Sequence, residues 1–281
     1  MISDSLRVMW FVPPAVEMIS AALRDASALS IEGRRNTSSD EQYYALCEER
    51  VDAVVTSIDN VLHWNQRTGP CDFCVVSQIE TTTPLSLVVS ADVMSTEQLR
   101  GKRILVDAPE NGFVIALKSL LFEAAGLRDG DYELVPIGGV RERYEALLTS
   151  QGSATLLGPP FDALAAQQGL STLATIQQAY PSFPGQGVVT RREFVDKTPA
   201  LGRWLDSLQL AVNVAANRPE LVKEIVERQG LPQAASHALC FTFPETLVPN
   251  RDGIELLIHQ RSQLNLPGAD STYDGIVIRR S

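Results

Sequence analysis

The residues best placed by type and spacing to do chemistry lie between positions 57 and 74. His63 follows Asn60 by three residues, so on a helix the two share a face. An imidazole titrates near neutrality, which makes His63 the acid–base candidate among the three histidines. Asp59 beside it supplies a carboxylate, and Asp162 is a second. The competing reading has more weight: a helical histidine packed beside Trp64, and acids that cap helix starts. His237 and His259 sit in C-terminal helical patterns with no partner spacing. Cys71-Asp72-Phe73-Cys74 has the CxxC spacing of a redox pair or half a metal site. A redox pair opens a helix, whereas here Pro70 precedes and a strand follows. A zinc site needs a second pair, and only distant Cys47 and Cys240 remain. These thiols read as structural, or as a disulfide if the protein is exported. Phosphate-loop, dinucleotide, HExxH and GxSxG patterns are absent, so no metal and no cofactor is expected.

A second kind of chemistry is binding without reaction. Residues 103–124 read as a buried strand (Arg103–Asp107), a turn (Ala108–Gly112) and a helix carrying Val114, Leu117, Leu120, Leu121 and Ala124 on one face. Pro109 and Gly112 break the strand and Asn111 caps the helix. The turn presents backbone N–H groups at a helix start, beside the carboxyl end of a strand, where a polar oxygen or anion is favoured. An ordinary strand–helix unit with no ligand fits the same residues.

The elements that must position these residues alternate along the chain. Strands are expected at 6–12, 28–31, 51–56, 74–77, 85–90, 103–107, 133–137, 154–157 and 188–190. Between them fall helices after Pro14, from Ser39 or Asp40 to Glu49, over 140–148 and over 163–168. Thr198-Pro199 starts a long helix whose stripe is Leu201, Trp204, Leu205, Leu208, Val212 and Ala215. Helices to about Gln229, near 232–240 and over 253–264 follow. Alternation predicts an α/β fold with mostly parallel sheets. About ten strands are many for one sheet, so two lobes with a cleft between them are expected. The chain crosses between lobes after Ser90 and at the Pro/Gly loop 180–187, giving lobe I as 1–90 plus 187–281 and lobe II as 91–186.

The chain has 281 residues and a net charge of −10, and no basic run stands out. Nucleic acid and anionic membrane are therefore poor partners. No apolar run approaches the roughly 18 residues of a membrane span, so no membrane insertion is expected. The N-terminal MISDSLRVMWFVPP lacks the regions of a signal peptide. A cytoplasmic protein is expected as the sequence stands, or a periplasmic one if a signal was removed.

An ordered series of phrases carries a resemblance: TSIDNVLHWNQ (56–66), STEQLRGKRILVDAPENGFVIALKSLLFEAAGL (95–127), YELVPIGGVRERYEALLTSQGSATLLGPPFDALAAQQG (132–169) and PSFPGQG within Tyr180–Arg191. Together they resemble the periplasmic-binding-protein type II family, most similarly the nitrate/sulfonate/taurine-type substrate-binding proteins, the branch that includes the thiamine-pyrimidine synthases. The resemblance covers most of 50–220. It implies two α/β lobes joined by two crossing strands, hinge closure over a small molecule, and an ABC permease as partner if the protein is exported. The same fold hosts intracellular enzymes, so fold alone does not settle function.

Ligand contacts are expected at strand ends facing the cleft. From lobe I these are Trp10, Phe11, Ser38, Ser39, Ser57 and Asn60. From lobe II they are Asn111, Gly112, Phe113, Gly138, Gly139, Pro160 and Phe161. Aromatic rings would sandwich an apolar body, and amides and helix-start N–H groups would hold its polar ends. Two functions fit these residues. One is a binding protein for a small organic molecule, anionic or aromatic. The other is an intracellular cofactor-free lyase, decarboxylase or hydrolase using His63 and Asp59.

Overall fold

The computed structural model describes residues 5–24, 29–228, 230, 236 and 240–278. The start of the second expected strand at Ala28, His237 and most of the expected helix near 232–240 lie outside them. Ten strands form two five-stranded sheets. The first sheet holds β1 (Ser5–Trp10), β2 (Ser30–Arg35), β3 (Ala53–Ser57), β4 (Phe73–Gln78) and β10 (Gln186–Arg191) in the order β2-β1-β3-β10-β4. The second holds β5 (Ser86–Val89), β6 (Arg103–Val106), β7 (Glu133–Pro136), β8 (Ala154–Leu157) and β9 (Ser171–Thr175) in the order β7-β6-β8-β5-β9. The expected two-lobe α/β fold is present.

Two expectations need correction. Ser86–Val89 pairs with β8 and β9, so the first crossing runs from Gln78 to Ser86 and not after Ser90. The sheets are also mixed rather than mostly parallel. β1, β2 and β3 run parallel, as do β6, β7 and β8. β10 and β5 run antiparallel to their neighbours. Each has just crossed from the other lobe and enters its sheet from the opposite end.

The strands are accompanied by α1 (Ala15–Leu23), α2 (Ser39–Cys47), α3 (Asp59–Trp64), α4 (Gly112–Ala125), α5 (Val140–Leu148), α6 (Phe161–Gln167), α7 (Ile176–Ala179), α8 (Arg192–Val195), α9 (Pro199–Asn217), α10 (Pro219–Arg228), α11 (Arg251–Gln263) and α12 (Tyr273–Ile276), with a 3-10 helix over Thr96–Leu99. Strand parity assigns each sheet face. Leu6, Val8 and Trp10 of β1 face α1 and α9, while Met9 joins the core on the other side. In α9 the six stripe residues are all buried, with Trp204 wholly so. Burying one large apolar side chain contributes roughly 1.5–3 kcal/mol, enough for this stripe to fix the helix on its sheet. β2 is an exposed edge carrying Glu32, Arg34 and Arg35, charges that discourage pairing with another chain.

One apolar cluster runs through both lobes. It joins Trp64 and Phe73 of the first to Leu87, Leu117 and Leu121 of the second, and includes Ile254 and Leu257 of α11. α11 packs against both α3 and α4, and so straddles the lobe boundary. Among the described residues, no helix is long and apolar enough to cross a membrane.

Candidate functional site

The lobes meet where two strand–helix turns face each other, β3–α3 and β6–α4. In lobe I, the buried strand end Thr56–Ser57 leads directly into α3. Asn60 donates from Nδ2 to Thr56 Oγ1 at 2.7 Å and accepts at Oδ1 from the Gly112 N–H at 3.2 Å. In lobe II, Asn111 caps α4 by accepting from the Phe113 N–H at 2.8 Å, and donates to Asp107 Oδ2 at 2.8 Å. Gly112 is required by this close approach. A Cβ there would lie 2.5 Å from Asp59 Cβ and collide with Ser57 Oγ. Asp59 is wholly buried and both its oxygens accept from the Arg261 guanidinium, with Nε to Oδ1 at 2.8 Å. Arg261 also donates to Pro267 O at 2.7 Å. The Asp59 carboxylate thus anchors α11.

Beside this contact lies a cavity of about 160 Å³ with walls from both lobes. Lobe I contributes Ser39, Asp40, Asn60, His63, Trp64 and Arg67. Lobe II contributes the turn Ala108–Asn111. Arg67 is held on three sides. Its Nη2 meets Asp40 Oδ1 at 2.6 Å, its Nε donates to His63 Nε2 at 2.8 Å, and its guanidinium lies 4.6 Å from the centre of the Tyr43 ring. Across the boundary, Glu110 Oε2 is 2.9 Å from the same His63 Nε2. Burial first, then Arg67, hold the imidazole below its ordinary pKa, and Glu110 opposes them only in part. Asp40 and Arg67 also border a more open hollow of about 480 Å³ that includes Tyr43 and Tyr44.

The lobe II strand ends are braced by a second buried pair. Arg143 Nη1 donates to Gly138 O at 2.8 Å, Nη2 donates to Leu156 O at 3.3 Å, and Nη1 stands 3.9 Å from Asp107 Oδ1. Burial raises the Asp107 carboxyl pKa and lowers that of Arg143. At the outer lip, Arg35 and Glu142 approach across the lobes to 3.8 Å.

Of the predicted ligand contacts, Ser39, Asn60 and Asn111 line the small cavity, as does the acid–base candidate His63, while Gly112 and Ser57 approach each other at the lobe boundary beside it. The others are elsewhere. Trp10 packs over Gly33 among the core residues facing α1, placed there by strand parity. Phe11 is half-buried at the end of β1. Ser38 caps α2 by accepting from the Glu41 N–H at 3.1 Å. Phe113 packs 6.3 Å from Phe183, ring centre to ring centre. Gly138 and Gly139 lead into α5, with Gly139 at its cap position. Pro160 precedes α6, and Phe161 packs on Tyr144 at 5.4 Å. Asp162 accepts from the adjacent Ala163 N–H. Sequence reasoning missed Asp40, Trp64, Arg67 and Glu110 as cavity walls. For the charged three, no periodic signal in the sequence marks them as cavity walls.

The CxxC cysteines look in different directions. Cys71 is exposed, with Sγ 3.3 Å from Gly69 O, whereas Cys74 is buried, with Sγ 3.6 Å from Thr190 O. Burial pushes the Cys74 thiol up to about 12. Among the described residues, no group of three or more His, Cys, Asp or Glu is placed to hold a metal.

No protein-family model matches the chain, and no curated protein matches it in sequence. Solved structures match it throughout. The alkanesulfonate-binding protein SsuA of Xanthomonas axonopodis pv. citri, bound to MOPS, is 15% identical with a TM-score of 0.77, covering 100% of both chains. The ligand-binding component of an ABC-type import system from Staphylococcus aureus, with zinc bound, is 15% identical at 0.76, covering 98% of this chain and 96% of that one. A Candida albicans gene product with the generic periplasmic binding protein fold is 13% identical at 0.74, covering 98% and 96%. With two mixed sheets, two crossings and a cavity at their strand ends, this chain has the periplasmic-binding-protein fold.

Proposed function

We propose that the chain is a binding protein for a small organic anion, carboxylate or sulfonate, held in the cavity between its lobes. The observation that carries this is the cavity itself, which takes six walls from one lobe and a turn from the other, at strand ends. Arg67 supplies a fixed cation, Asn60 and Asn111 supply amides, and Trp64 supplies an apolar wall. The site is complete only when the lobes are together, as expected of a protein that closes on its ligand. The similar structures include ABC import components, which supports delivery to an ABC permease as the wider role.

Proton NMR of a pooled set of carboxylates, sulfonates and pyrimidines, with and without protein and followed over hours, tests the reading. The expected result is reversible broadening of one acid's lines with nothing consumed. Consumption of a compound with growth of new lines would overturn it in favour of catalysis. An unperturbed pool would overturn it altogether.

A further inference from the structure

We propose that the cavity takes up its organic anion together with a proton, and that His63 carries that proton. The inference rests on the anion-binding reading and concerns how the same site balances charge.

The cavity is not a plain cationic pocket. Carboxylates enter from both lobes, Asp40 at the start of α2 and Glu110 ahead of α4, against the single guanidinium of Arg67. Asp40 already engages Arg67 at 2.6 Å. Behind the cavity, Asp59 and Arg261 offset each other, as do Asp107 and Arg143. An entering anion therefore adds a third negative charge to a space of about 160 Å³ facing one cation. Like charges at such range are costly away from bulk water. His63 is the titratable base on the cavity wall, and it sits between the opposing charges.

Its Nε2 has two partners that no single protonation state satisfies. The Arg67 Nε–H donates to it at 2.8 Å, which needs the lone pair. Glu110 Oε2, 2.9 Å away, needs a proton on that same nitrogen. The first partner belongs to the same lobe and the second to the other. Burial and the neighbouring Arg67 favour the neutral ring. A seated anion reverses the balance. A solvent proton adds to Nε2, the Arg67 Nε–H turns from the ring to the anion, and the imidazolium binds Glu110 across the boundary. One N–H bond forms at Nε2 and one O–H bond of a solvent hydronium ion breaks, leaving water. Anion binding, proton uptake and lobe closure then become one event.

The test uses ethanesulfonate and benzenesulfonate, whose charge does not titrate, so any proton taken up belongs to the protein. A pH-stat titration of unbuffered protein counts protons, and calorimetry in Tris gives Kd against pH. The expected result is about one proton per sulfonate where the free imidazole is neutral, with Kd weakening by up to about tenfold per pH unit as pH rises through that range. His63→Asn is expected to bind more weakly, with no uptake and a flat pH profile. Glu110→Gln, at an exposed side chain, is expected to bind more tightly at pH 8 with less uptake. Sulfonate binding without proton uptake would overturn the inference and leave the anion-binding reading standing. Uptake that persists in His63→Asn would do the same. Failure of both sulfonates to bind at pH 6.5 and at pH 8, together with an unperturbed acid pool, would overturn both.

Discussion

The two ends of the short helix α3 sit in different surroundings at the lobe boundary. At its start, Asp59 is locked to Arg261 of α11, with both side chains almost fully buried, and an apolar core shared by the lobes continues behind it. One residue further on, the chemistry changes. Asn60 reaches Gly112 through a single hydrogen bond, and His63 reaches Glu110, whose side chain is two-thirds exposed. One contact region is apolar and ion-paired, and the other is polar and sparse, running from the buried Asn60–Gly112 bond out to the exposed Glu110. The apolar region resists separation because opening it uncovers apolar surface and strands buried charges. The polar region loses only contacts that water replaces. The α11 side is therefore the harder of the two to separate.

Removing one member of the buried pair attacks the anchor of α11 directly. Arg261→Met is expected to lower stability by about 3–5 kcal/mol, read from urea unfolding, because Asp59 is left buried and uncompensated. Adding Asp59→Asn is expected to restore part of the loss. An equal loss in the single and double variants would show that the uncompensated charge is not its cause. Gly112→Ala puts a methyl into the contact with Ser57 and Asp59. It is expected to cost about 1–3 kcal/mol and to raise the radius of gyration in solution scattering; an unchanged radius would mean that the lobes do not part there. Asn60→Ala removes the acceptor of the Gly112 N–H and is expected to cost roughly 1–2 kcal/mol, with faster amide exchange at Gly112 as the local readout.

The smallest effect is one of pH. The His63 pKa is lowered on folding, so between that value and the unfolded value near 6.5 the unfolded chain binds more protons. Stability contributed by neutral His63 is thus present above about pH 6.5 and is lost as pH falls, at no more than about 1.4 kcal/mol per pH unit. Urea midpoints at pH 7.5 and 5.5 should diverge in the parent and converge in His63→Gln. A difference unaltered by the substitution would remove His63 from the account.

The elements with one clean apolar face were legible in the sequence. α5 and β8 have the expected limits, and the α9 stripe is buried as read. β9 was missed because STLAT is exposed at one end and half-buried at the other, so it shows neither an apolar run nor a clear alternation. β2 showed only its apolar beginning, since an edge strand of charged residues has no period to detect. Antiparallel entry of β5 and β10 was invisible because Val-rich strands look alike in either direction. At the site, Asn60 and Asn111 were readable from their positions after buried strands. Arg67, Asp40 and Glu110 were not, because a charge in or beside a turn carries no periodicity that says which cavity it will face.

The strand order also sets a schedule for synthesis. The second sheet is built from one unbroken stretch, β5 to β9, and can close once Thr175 has emerged from the ribosome. In the first sheet β10 lies between β3 and β4. β4, though made early, has no strand to pair with until residues 186–191 arrive. The lobe begun first is finished last, and the nascent chain carries an unpaired Val-rich strand, FCVVSQ, through the making of more than a hundred further residues. That interval is when a growing chain of this fold is most exposed to aggregation.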